Sequence, residues 1–448
     1  MAHQVSIVKY TKPFESVRKA VELAGGLKGL ATDAKVIIKP NIVMWTRDST
    51  FPKWGIITTS RTIEDMVILL KEYGVSDITI AEGMVTMDPK DRDTPRHAFK
   101  HLGYEELRKR YTVKSINTMA RPFKKISIDE DITLNFNADI LASDYVVNIP
   151  VLKTHSQTIV SLGIKNLKGM IDIPSRKKCH STDPVKDLHY MVSGLADHMP
   201  PMFTLIDGIY ANERGPTLGG QAHRTNLLIG SNDVLSADKV GASLLGWAPE
   251  KVPHLCYASA RQKRTTDLQD ITITGEKIDD VSTQLDHIIK YGQNKEGDKL
   301  PELMVATGIT GVSFRKSDLT LCTYCAVINK LIMGALYAAW NGEPYDRVDI
   351  LTGKSMKPAM GMNKTILVGD CMIKAHKNNP DIQEIIPIKG CPASYEAVEK
   401  GLLKAGIDPG PDFFKTIHHF PELFMAQYKD NADFDERFFK IKAAENII

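Results

Sequence analysis

Four of the six cysteines of the chain lie in three short motifs between residues 322 and 391. The motifs are Cys322-Thr-Tyr-Cys325, Gly369-Asp-Cys371 and Gly390-Cys391-Pro392. A Cys-x-x-Cys turn presents two thiolates to one centre, and a glycine before a ligand lets the backbone approach closely. Cys371 and Cys391 each follow a strand-like run, so a parallel sheet would bring them to one edge. We therefore expect these four cysteines to hold a 4Fe-4S cluster.

Two other interpretations of these cysteines stay open. Four thiolates also suit zinc, although zinc sites more often come as two close pairs, and the thiols could be unliganded structural residues. Locally, the motifs resemble the proximal cluster site of nickel-iron hydrogenase small subunits and of a related quinone-reductase subunit. The matching last motif there usually reads Gly-Cys-Pro-Pro, from which Ala393 departs.

The other two cysteines and one histidine pair give weaker signals. Cys179 lies in the basic run Ser-Arg-Lys-Lys-Cys-His, which would lower a thiol pKa, but a structural role is favoured. Cys256 follows apolar residues and is expected in the core. His97 and His101 are four apart on a predicted helix and share a face, yet no third metal ligand lies nearby in sequence.

Polar side chains follow several apolar strand-like runs in the first half of the chain. The carboxyl ends of strands line the ligand crevice of open α/β sheets, so these residues are candidates for a binding site. They lie in the segments Lys39-Pro40-Asn41, Glu82-Gly83, Asn148 to His155, and Asp207-Gly208.

A local excess of basic residues follows the third of these segments. Lys165, Asn166 and Lys168 lie in a window with many lysines, arginines and histidines and a single acid, Asp172. Such a patch in a nearly neutral protein favours a small anionic ligand, such as a carboxylate or a phosphate.

Within this window we predict that Lys153, His155, Lys165 and Lys168 share one anion site. Lys153 and His155 alternate across Thr154 on an extended segment, and Lys165 and Lys168 are three apart on a helical turn. The predicted substrate-binding residues are Lys39, Asn41, Lys165, Asn166, Lys168 and Glu213. The predicted catalytic residues are Lys153 and His155 as an acid/base pair, with Glu82 or Asp207 binding a metal or taking a proton.

The loop from Asn212 to Gly220 is rich in glycine. It is predicted either as an anion-binding nest or mobile flap, or as an ordinary hairpin. The chain contains neither G-x-G-x-x-G nor G-x-x-x-x-G-K-[ST], so standard dinucleotide and P-loop sites lose their main support.

Short β-branched runs alternate with helical patterns, which predicts an α/β protein. We expect a doubly wound, mostly parallel sheet domain over residues 1–265, with a basic crevice. A linker should follow from residue 267 to about 303. A smaller α/β iron-sulfur unit is predicted over 300–410, and a helical tail packed on the outside over 411–448.

Composition limits the function classes. The 448 residues carry 57 basic and 54 acidic side chains, a net charge of +3, which disfavours general nucleic-acid binding. No apolar stretch is long enough for a membrane span, and the N-terminus has no export signal. We expect a cytoplasmic protein that binds neither nucleic acid nor membrane, and we leave a homodimer open.

Several segments together resemble the family called domain of unknown function 362. They are VIIKPNIV, IAEG, DYVVNIPVLKTHSQTIVSLGIKNLKGMI, DGIYANERGPTLGG and SADKVGASLLGW, in this order over roughly residues 36–250. The pattern K-T-H followed by K-N-L-x-G is the most specific part. Some members are described as uncharacterised iron-sulfur centre proteins, so the resemblance implies a cluster but no particular reaction.

Three functions are consistent with these residues. The first is a redox enzyme or electron-transfer protein, because four cysteines saturate the cluster and leave no iron open for hydration chemistry; a redox partner protein is then expected. The second is a non-redox lyase, isomerase or hydrolase that uses Lys153 and His155, with a structural cluster. The third is a non-catalytic electron carrier or cluster scaffold, and this is the weakest of the three because the first domain is larger than such a role requires.

Overall fold

A computed structural model describes residues 2–88 and 91–441, which form two compact units. The first unit contains the chain up to Arg176, then 189–288, then the segment that begins at Pro421. The second unit contains 177–188 and 289–420. The predicted boundaries at 265, 300 and 410 therefore differ from those of the structure.

The first unit contains twelve strands among the described residues. These are β1 His3–Lys9, β2 Lys35–Lys39, β3 Asp77–Glu82, β4 Lys114–Asn117, β5 Phe123–Asp129, β6 Ile132–Asn137, β7 Tyr145–Asn148, β8 Val151–His155, β9 Ile159–Val160, β10 Met202–Glu213, β11 Gln221–Ser231 and β12 Ile271–Gly275.

Helices occupy most of the connections. They are α1 Glu15–Leu23, α2 Ser60–Glu72, α3 Asp93–His101, α4 Tyr104–Tyr111, α5 Ala138–Leu141, α6 Gly163–Asn166, α7 Ile173–Lys178, α8 Leu188–Ser193, α9 Val234–Leu244, α10 Pro253–Arg261 and α11 Ile278–Val281.

The central sheet is largely parallel, as the strand-helix alternation predicts. Its order is β12-β1-β11-β10-β7-β2-β3-β4, with β8 paired to β10 and β9 paired to β8. The pairs β10/β7, β7/β2, β2/β3 and β3/β4 are parallel, whereas β11 is antiparallel to both β1 and β10. The strands β3 and β4, which follow β2 in sequence, lie on one side of β2 in the sheet. The strand β10, which follows β7 in sequence, lies on the opposite side, beyond β7. Strand order thus reverses between β2 and β7, the position at which open α/β sheets bind ligands.

β12 explains why the first unit extends beyond residue 265. The predicted linker contains this strand, and β12 pairs in parallel with β1, from His3 opposite Ile271 to Ile7 opposite Gly275. The pairing joins two strands that are far apart in the sequence, and local sequence patterns do not reveal such a contact.

The C-terminal tail contributes to the core of the first unit. Tyr428, Phe438 and Phe439 are buried with residues of α1, α2 and the sheet. The tail forms 3-10 helices over Ile417–Tyr428 and Glu436–Phe439. The predicted tail starting at 411 is therefore split, since residues up to 420 belong to the second unit.

β10 and β11 form a long antiparallel hairpin, with Glu213 opposite Gln221 at its end. The apolar, strand-like runs 203–206 and 226–229 cover only the part of the hairpin that lies away from its loop. The glycine-rich loop joins these two strands, in agreement with the hairpin interpretation.

The second unit is also α/β. Its elements are β13 Tyr291–Gln293, β14 Lys299–Pro301, α12 Glu302–Ala306, β15 Val312–Ser313, α13 Thr323–Ala339, β16 Val348–Leu351, β17 Lys364–Val368, α14 Gly369–His376, β18 Glu384–Ile388 and α15 Tyr395–Ala405. Four strands form a parallel sheet of order β15-β16-β17-β18. In the described part of the chain, no helix is both long and apolar enough to span a bilayer.

Candidate functional site

Three neighbouring parallel strands of the first unit end in polar residues where the strand order reverses. Lys39 ends β2, Glu82 ends β3 and Asn148 ends β7. Lys39 and Asn148 are directly opposite in the β2/β7 register. The three side chains are buried, with exposures of 3% or less. The strand-end rule therefore predicted the position of this cluster from sequence.

Lys39 and Glu82 form a buried ion pair, with 2.9 Å between Nζ and Oε2. Glu82 also accepts hydrogen bonds from the backbone N–H groups of Ile42 at 2.8 Å and Gly83 at 2.7 Å. Burial lowers the pKa of Lys39 from its ordinary value, and the charge of Glu82 opposes this shift. The pair is held in one geometry because each partner has further backbone contacts.

Asn166, at the end of α6, connects the strand ends. Its Nδ2 donates to Asn148 Oδ1 at 2.8 Å, and its Oδ1 accepts from Asn41 Nδ2 at 3.0 Å and Lys39 Nζ at 3.3 Å. We call the group formed by Lys39, Asn41, Glu82, Asn148, Lys153 and Asn166 the switch-point site.

Lys153 is the second buried cation of the switch-point site. Its Nζ donates to Asn41 Oδ1 at 2.5 Å and to the carbonyl of Ile56 at 2.9 Å. Among the described residues it has no carboxylate within ion-pair distance. Burial lowers the pKa of Lys153 to about 7; Glu82 opposes this shift and the nearby charge of Lys39 adds to it. Lys153 can therefore exchange a proton near neutral pH.

Gly169 lies directly against the ion pair. A Cβ atom at this glycine would lie 2.8 Å from Lys39 Nζ and 2.8 Å from Glu82 Oε1. Arg176 holds the same turn, because its Nη2 donates to the carbonyls of Gly83 at 2.7 Å and Gly169 at 2.9 Å. The turn thus approaches the site as closely as only glycine permits.

His155 and Lys165 form a separate contact. The distance between His155 Nε2 and Lys165 Nζ is 2.9 Å. His155 Nδ1 accepts backbone N–H groups of Gln157 at 3.0 Å and Thr158 at 3.4 Å. The structure thus brings two of the four predicted anion-binding residues together.

The remaining predicted residues are Lys168, Asp207 and Glu213. Lys168 is half-buried in the 3-10 turn Leu167–Met170. Asp207 accepts from Thr59 N at 2.7 Å and Thr59 Oγ1 at 2.8 Å, at the N-terminus of α2; burial raises the pKa of Asp207 to about 6. Glu213 contacts His223 Nε2 at 3.2 Å and the N–H of Asp286 at 3.1 Å, and neither partner belongs to the switch-point site.

Two positioning residues were not predicted. Thr58 Oγ1 accepts from Asn41 N at 2.8 Å and donates to the carbonyl of Ile149 at 2.7 Å. Asp238 in α9 accepts the N–H groups of Gly163 at 2.6 Å and Ile164 at 2.8 Å, which fixes the start of α6. The sequence contained one signal for each residue. Thr58 lies in the run Thr58-Thr59-Ser60, which precedes a helix, and Asp238 is a carboxylate within a helix of small apolar residues.

In the second unit, the four cysteines lie at the ends of three elements. Cys322 is the N-cap of α13, Cys325 lies in its first turn, Cys371 lies in the first turn of α14 after β17, and Cys391 follows β18. Cys325 Sγ lies 3.4 Å from the position that a Cβ at Gly369 would take. The N–H of Gly390 donates to Asp370 at 2.8 Å, which joins the last two motifs. We call these four cysteines the cysteine site.

Electrostatic interactions link the members of the cysteine site. The pKa of Cys325 is raised by Cys322 and by burial, and the charges of Cys391 and Cys371 act in the same direction. The pKa of Cys322 is lowered, chiefly by a hydrogen bond from Cys325, with the backbone N–H of Tyr324 and the charge of Lys177 contributing. A thiolate at a helix N-terminus beside a cation is a suitable metal ligand.

Lys177 contacts the cysteine site directly. Its Nζ lies 3.0 Å from Cys391 Sγ and 4.9 Å from the ring centroid of Tyr324. Burial alone would lower the pKa of Lys177, but Cys391 raises it above the ordinary value. Within residues 2–88 and 91–441, no three His, Cys, Asp or Glu side chains are arranged around one metal-ion position.

The weaker sequence signals can now be placed. Cys179 is buried, and Cys256 is half-exposed, so the prediction of Cys256 as a core residue was wrong. His97 and His101 share a face of α3 as predicted, with rings stacked at 3.8 Å, and Trp45 Nε1 donates to His97 Nδ1 at 2.8 Å.

Comparisons with known proteins give a family match for part of the chain and leave the activity open. A cyanobacterial protein, thylakoid-associated protein sll1697 of Synechocystis, is 25% identical over 243 residues, which is 53% of this chain and 71% of that protein. The apoprotein of lactate racemase from Thermoanaerobacterium thermosaccharolyticum is similar in structure, with a TM-score of 0.36 and 13% identity over 54% of this chain and 57% of that one. Residues 36–243 match the family model described as domain of unknown function (DUF362). The residues of the switch-point site lie within this matched segment.

Proposed function

We propose that the protein is an iron-sulfur redox protein. In this proposal the cysteine site holds a 4Fe-4S cluster, and the switch-point site binds a small anionic substrate. The cluster would exchange single electrons with this substrate or with a redox partner protein. The observation that carries the proposal is that four cysteines from three elements of the second unit interact electrostatically, with Cys322, Cys371 and Cys391 all acting on Cys325.

The chemistry of the cysteine site fits such a cofactor. A cluster binds one thiolate at each of its irons, so its ligands surround a larger volume than those of a single ion. Gly369 and Gly390 both have positive φ, 82° and 120°, and Gly369 has no side chain to fill the space beside Cys325 Sγ. Cys371 and Cys391 are exposed, which allows a cofactor to enter.

Lys177 has a defined task in this proposal. Its ammonium group donates to Cys391 Sγ and offsets the negative charge of the thiolates. Positive charge and hydrogen bonds at ligand sulfurs favour the reduced state of a cluster. Lys177 therefore sets the potential at which electrons are accepted.

The content of bound metal tests the proposal. The chain should be purified without oxygen and analysed for iron, acid-labile sulfide and zinc. We expect about four iron and four sulfide per chain, as the cofactor requires. Cys371→Ser should lose most of this content, whereas the matched control Cys256→Ser should keep it. Stoichiometric zinc without sulfide would refute the cluster.

The charges of the first unit support an anionic ligand. Lys39, Lys153 and Arg176 are buried near one buried carboxylate, Glu82, and Lys153 has no ion-pair partner among the described residues. An anion beside Lys153 would favour its protonated form, so binding should take up a proton. Titration calorimetry with phosphate in two buffers of different ionisation enthalpy measures this uptake. Equal heats in both buffers at pH 8 would contradict it.

A non-redox enzyme is the second candidate, favoured by the ionisation of Lys153. A buried lysine with a pKa near 7 is suited to act as a base. Glu82 and the contacting residues His155 and Lys165 are further candidate acid/base groups. The cluster would then serve only as a structural support for the second unit. In that case Cys322→Ser would remove the cluster and leave turnover intact in a folded protein.

A further inference from the structure

The cysteine site is open to solvent on one side. Cys371 and Cys391 are exposed, whereas Cys322 and Cys325 are half-buried. The two exposed cysteines directly follow the neighbouring parallel strands β17 and β18, so they lie at the carboxyl edge of the sheet of the second unit. A cofactor held by all four thiolates would therefore reach the surface at this edge. A protein bound there could exchange electrons with it.

Two lysines lie close to the exposed thiols. Lys177 Nζ lies 3.0 Å from Cys391 Sγ. Lys354 Nζ donates to the carbonyl of Lys177 at 3.0 Å. Burial raises the pKa of Cys371, and the charges of Lys354 and Lys177 oppose this shift. Both ammonium groups are thus within electrostatic reach of the exposed side of the cysteine site.

Two further lysines flank the same cysteines. Lys374 follows Cys371 by three residues in α14, so the two side chains share a face of this helix. Lys389 precedes Cys391 by two residues, and both lysines are exposed. We call the four residues Lys177, Lys354, Lys374 and Lys389 the lysine rim. In the part of the chain that the structure describes, none of the four has a carboxylate within ion-pair distance.

The opposite, amino-terminal edge of the same sheet has paired charges. Arg347 precedes β16, and its Nη1 lies 3.5 Å from Asp298 Oδ1. Lys364 begins β17, and its Nζ lies 3.0 Å from Asp346 Oδ2. At the carboxyl edge, Asp370 is adjacent in sequence to a cysteine, but its carboxylate accepts a backbone N–H at 2.8 Å. The lysine rim therefore presents positive charge that the protein itself does not neutralise.

We propose that the lysine rim is the docking surface for an acidic one-electron carrier protein. The inference rests on the cluster proposed above. One electron passes from the reduced carrier to the oxidised cluster, so the carrier is oxidised by one electron and the cluster is reduced by one. No covalent bond forms or breaks. Opposite charges orient the carrier toward the exposed cysteines and increase the rate of encounter.

The arrangement suits a protein better than a small anion. The lysines come from four separate segments, and Lys374 and Lys389 extend from the surface. A phosphate or carboxylate is held by polar groups that converge on it in a cleft. Electron-transfer partners instead bind weakly through small interfaces, which bury less than about 1,200 Å². Separate ammonium groups beside two exposed thiols are typical of the second kind of site.

Binding of two carriers of opposite charge tests the inference. The full chain is purified without oxygen, and its affinities for an acidic plant-type 2Fe-2S ferredoxin and for a basic cytochrome c are measured by surface plasmon resonance. We expect the ferredoxin to bind, and its affinity to fall roughly tenfold or more between about 20 and 200 mM salt, because salt screens exposed charges. Equal or tighter binding of cytochrome c would overturn the proposal.

Charge reversal locates the surface. The double variant Lys374→Glu/Lys389→Glu should bind ferredoxin roughly tenfold or more weakly. Reduced ferredoxin should also reduce its cluster more slowly, whereas dithionite should reduce the same cluster completely. Lys295→Glu is the matched control, because Lys295 is exposed and is adjacent to Glu296, which contacts Arg347 at the opposite edge of the sheet. It should bind ferredoxin like the wild type.

The docking surface and the cluster can fail separately, because iron and sulfide are measured in every variant. A chain with a complete cluster whose ferredoxin binding survives Lys374→Glu/Lys389→Glu would overturn the docking surface and leave the cluster in place. Loss of ferredoxin binding in the double variant of a chain that holds zinc and no sulfide would support the acidic partner and refute the redox function. Binding to vesicles of anionic lipid without binding to ferredoxin would overturn the proposal in favour of a membrane contact.

Discussion

Lys177 Nζ lies 3.0 Å from Cys391 Sγ, which places a cation at the most exposed edge of the cysteine site. Lys177→Met would remove this charge and keep the length of the side chain. Because positive charge favours the reduced cluster, we expect the midpoint potential to fall by roughly tens of millivolts. A redox titration followed by electron paramagnetic resonance measures the shift. The neighbouring, exposed Lys178→Met is the control, and equal shifts in both variants would argue against a specific contact.

The stability of the first unit should depend on pH through Lys153. Burial lowers the pKa of Lys153 to about 7, from 10.5 in an unfolded chain. Between these values the unfolded chain binds a proton that the folded chain does not, so stability rises with pH, by at most about 1.4 kcal/mol per pH unit. Below about pH 7 Lys153 is protonated in both the folded and the unfolded chain. The folded chain then bears the full cost of burying this charge, so its stability is lowest there.

Lys153→Met removes this dependence. As the pH rises above about 7, the unfolding free energy of the wild type should therefore increase relative to that of Lys153→Met. Denaturant unfolding at several pH values measures it, with Lys124→Met as an exposed control. Parallel pH curves for wild type and Lys153→Met would contradict the buried, shifted lysine.

Gly169→Ala should disturb the switch-point site. Its Cβ would meet Lys39 Cε at 2.7 Å and both members of the ion pair at 2.8 Å, and these partners are buried. We expect the variant to lose about 1–3 kcal/mol of unfolding free energy and to bind phosphate more weakly than the wild type. Calorimetry and denaturant unfolding check the two effects. At Gly292 the nearest atom is an ordinary 3.5 Å away, so Gly292→Ala should change neither quantity.

The tail contributes substantially to stability in this structure. The ring of Phe438 lies 5.7 Å from that of Tyr210 and 6.2 Å from that of Tyr10, with Arg224 at 4.3 Å. Phe438→Ala should cost about 3–5 kcal/mol, because it opens a cavity among buried rings. Leu423, in the same tail, is 69% exposed, and Leu423→Ala should change stability by no more than about 0.5 kcal/mol. Similar small effects of both variants would show that the tail is not part of the core.

Local signals predicted many elements well. α15 begins and ends where the sequence indicates, because Ser394 caps its first turn and Gly406 adopts the left-handed conformation at its end. The β5/β6 hairpin was missed although apolar residues alternate from Ile126 to Phe136, a recognisable pattern. The pairing of β12 with β1 had no local signal, since it depends on contacts between distant segments.

The same distinction applies to the candidate site. Lys39 and Glu82 could be predicted because parallel strands end at a common edge. The contact of Lys153 with Asn41 could not, because the path of β8 depends on its pairing with β10. The contact between His155 Nε2 and Lys165 Nζ at 2.9 Å likewise depends on how the chain folds between them, which the spacing of these two residues does not reveal.

One-electron reduction of the anaerobically purified chain tests the central claim most directly. After addition of dithionite, electron paramagnetic resonance should show about one unpaired electron per chain, as expected for a reduced 4Fe-4S cluster. Cys391→Ser should weaken or abolish the signal, and Cys256→Ser should keep it. A chain that contains iron and sulfide yet gives no signal at any potential would contradict a redox function. A chain with one zinc and no iron would contradict the cluster itself.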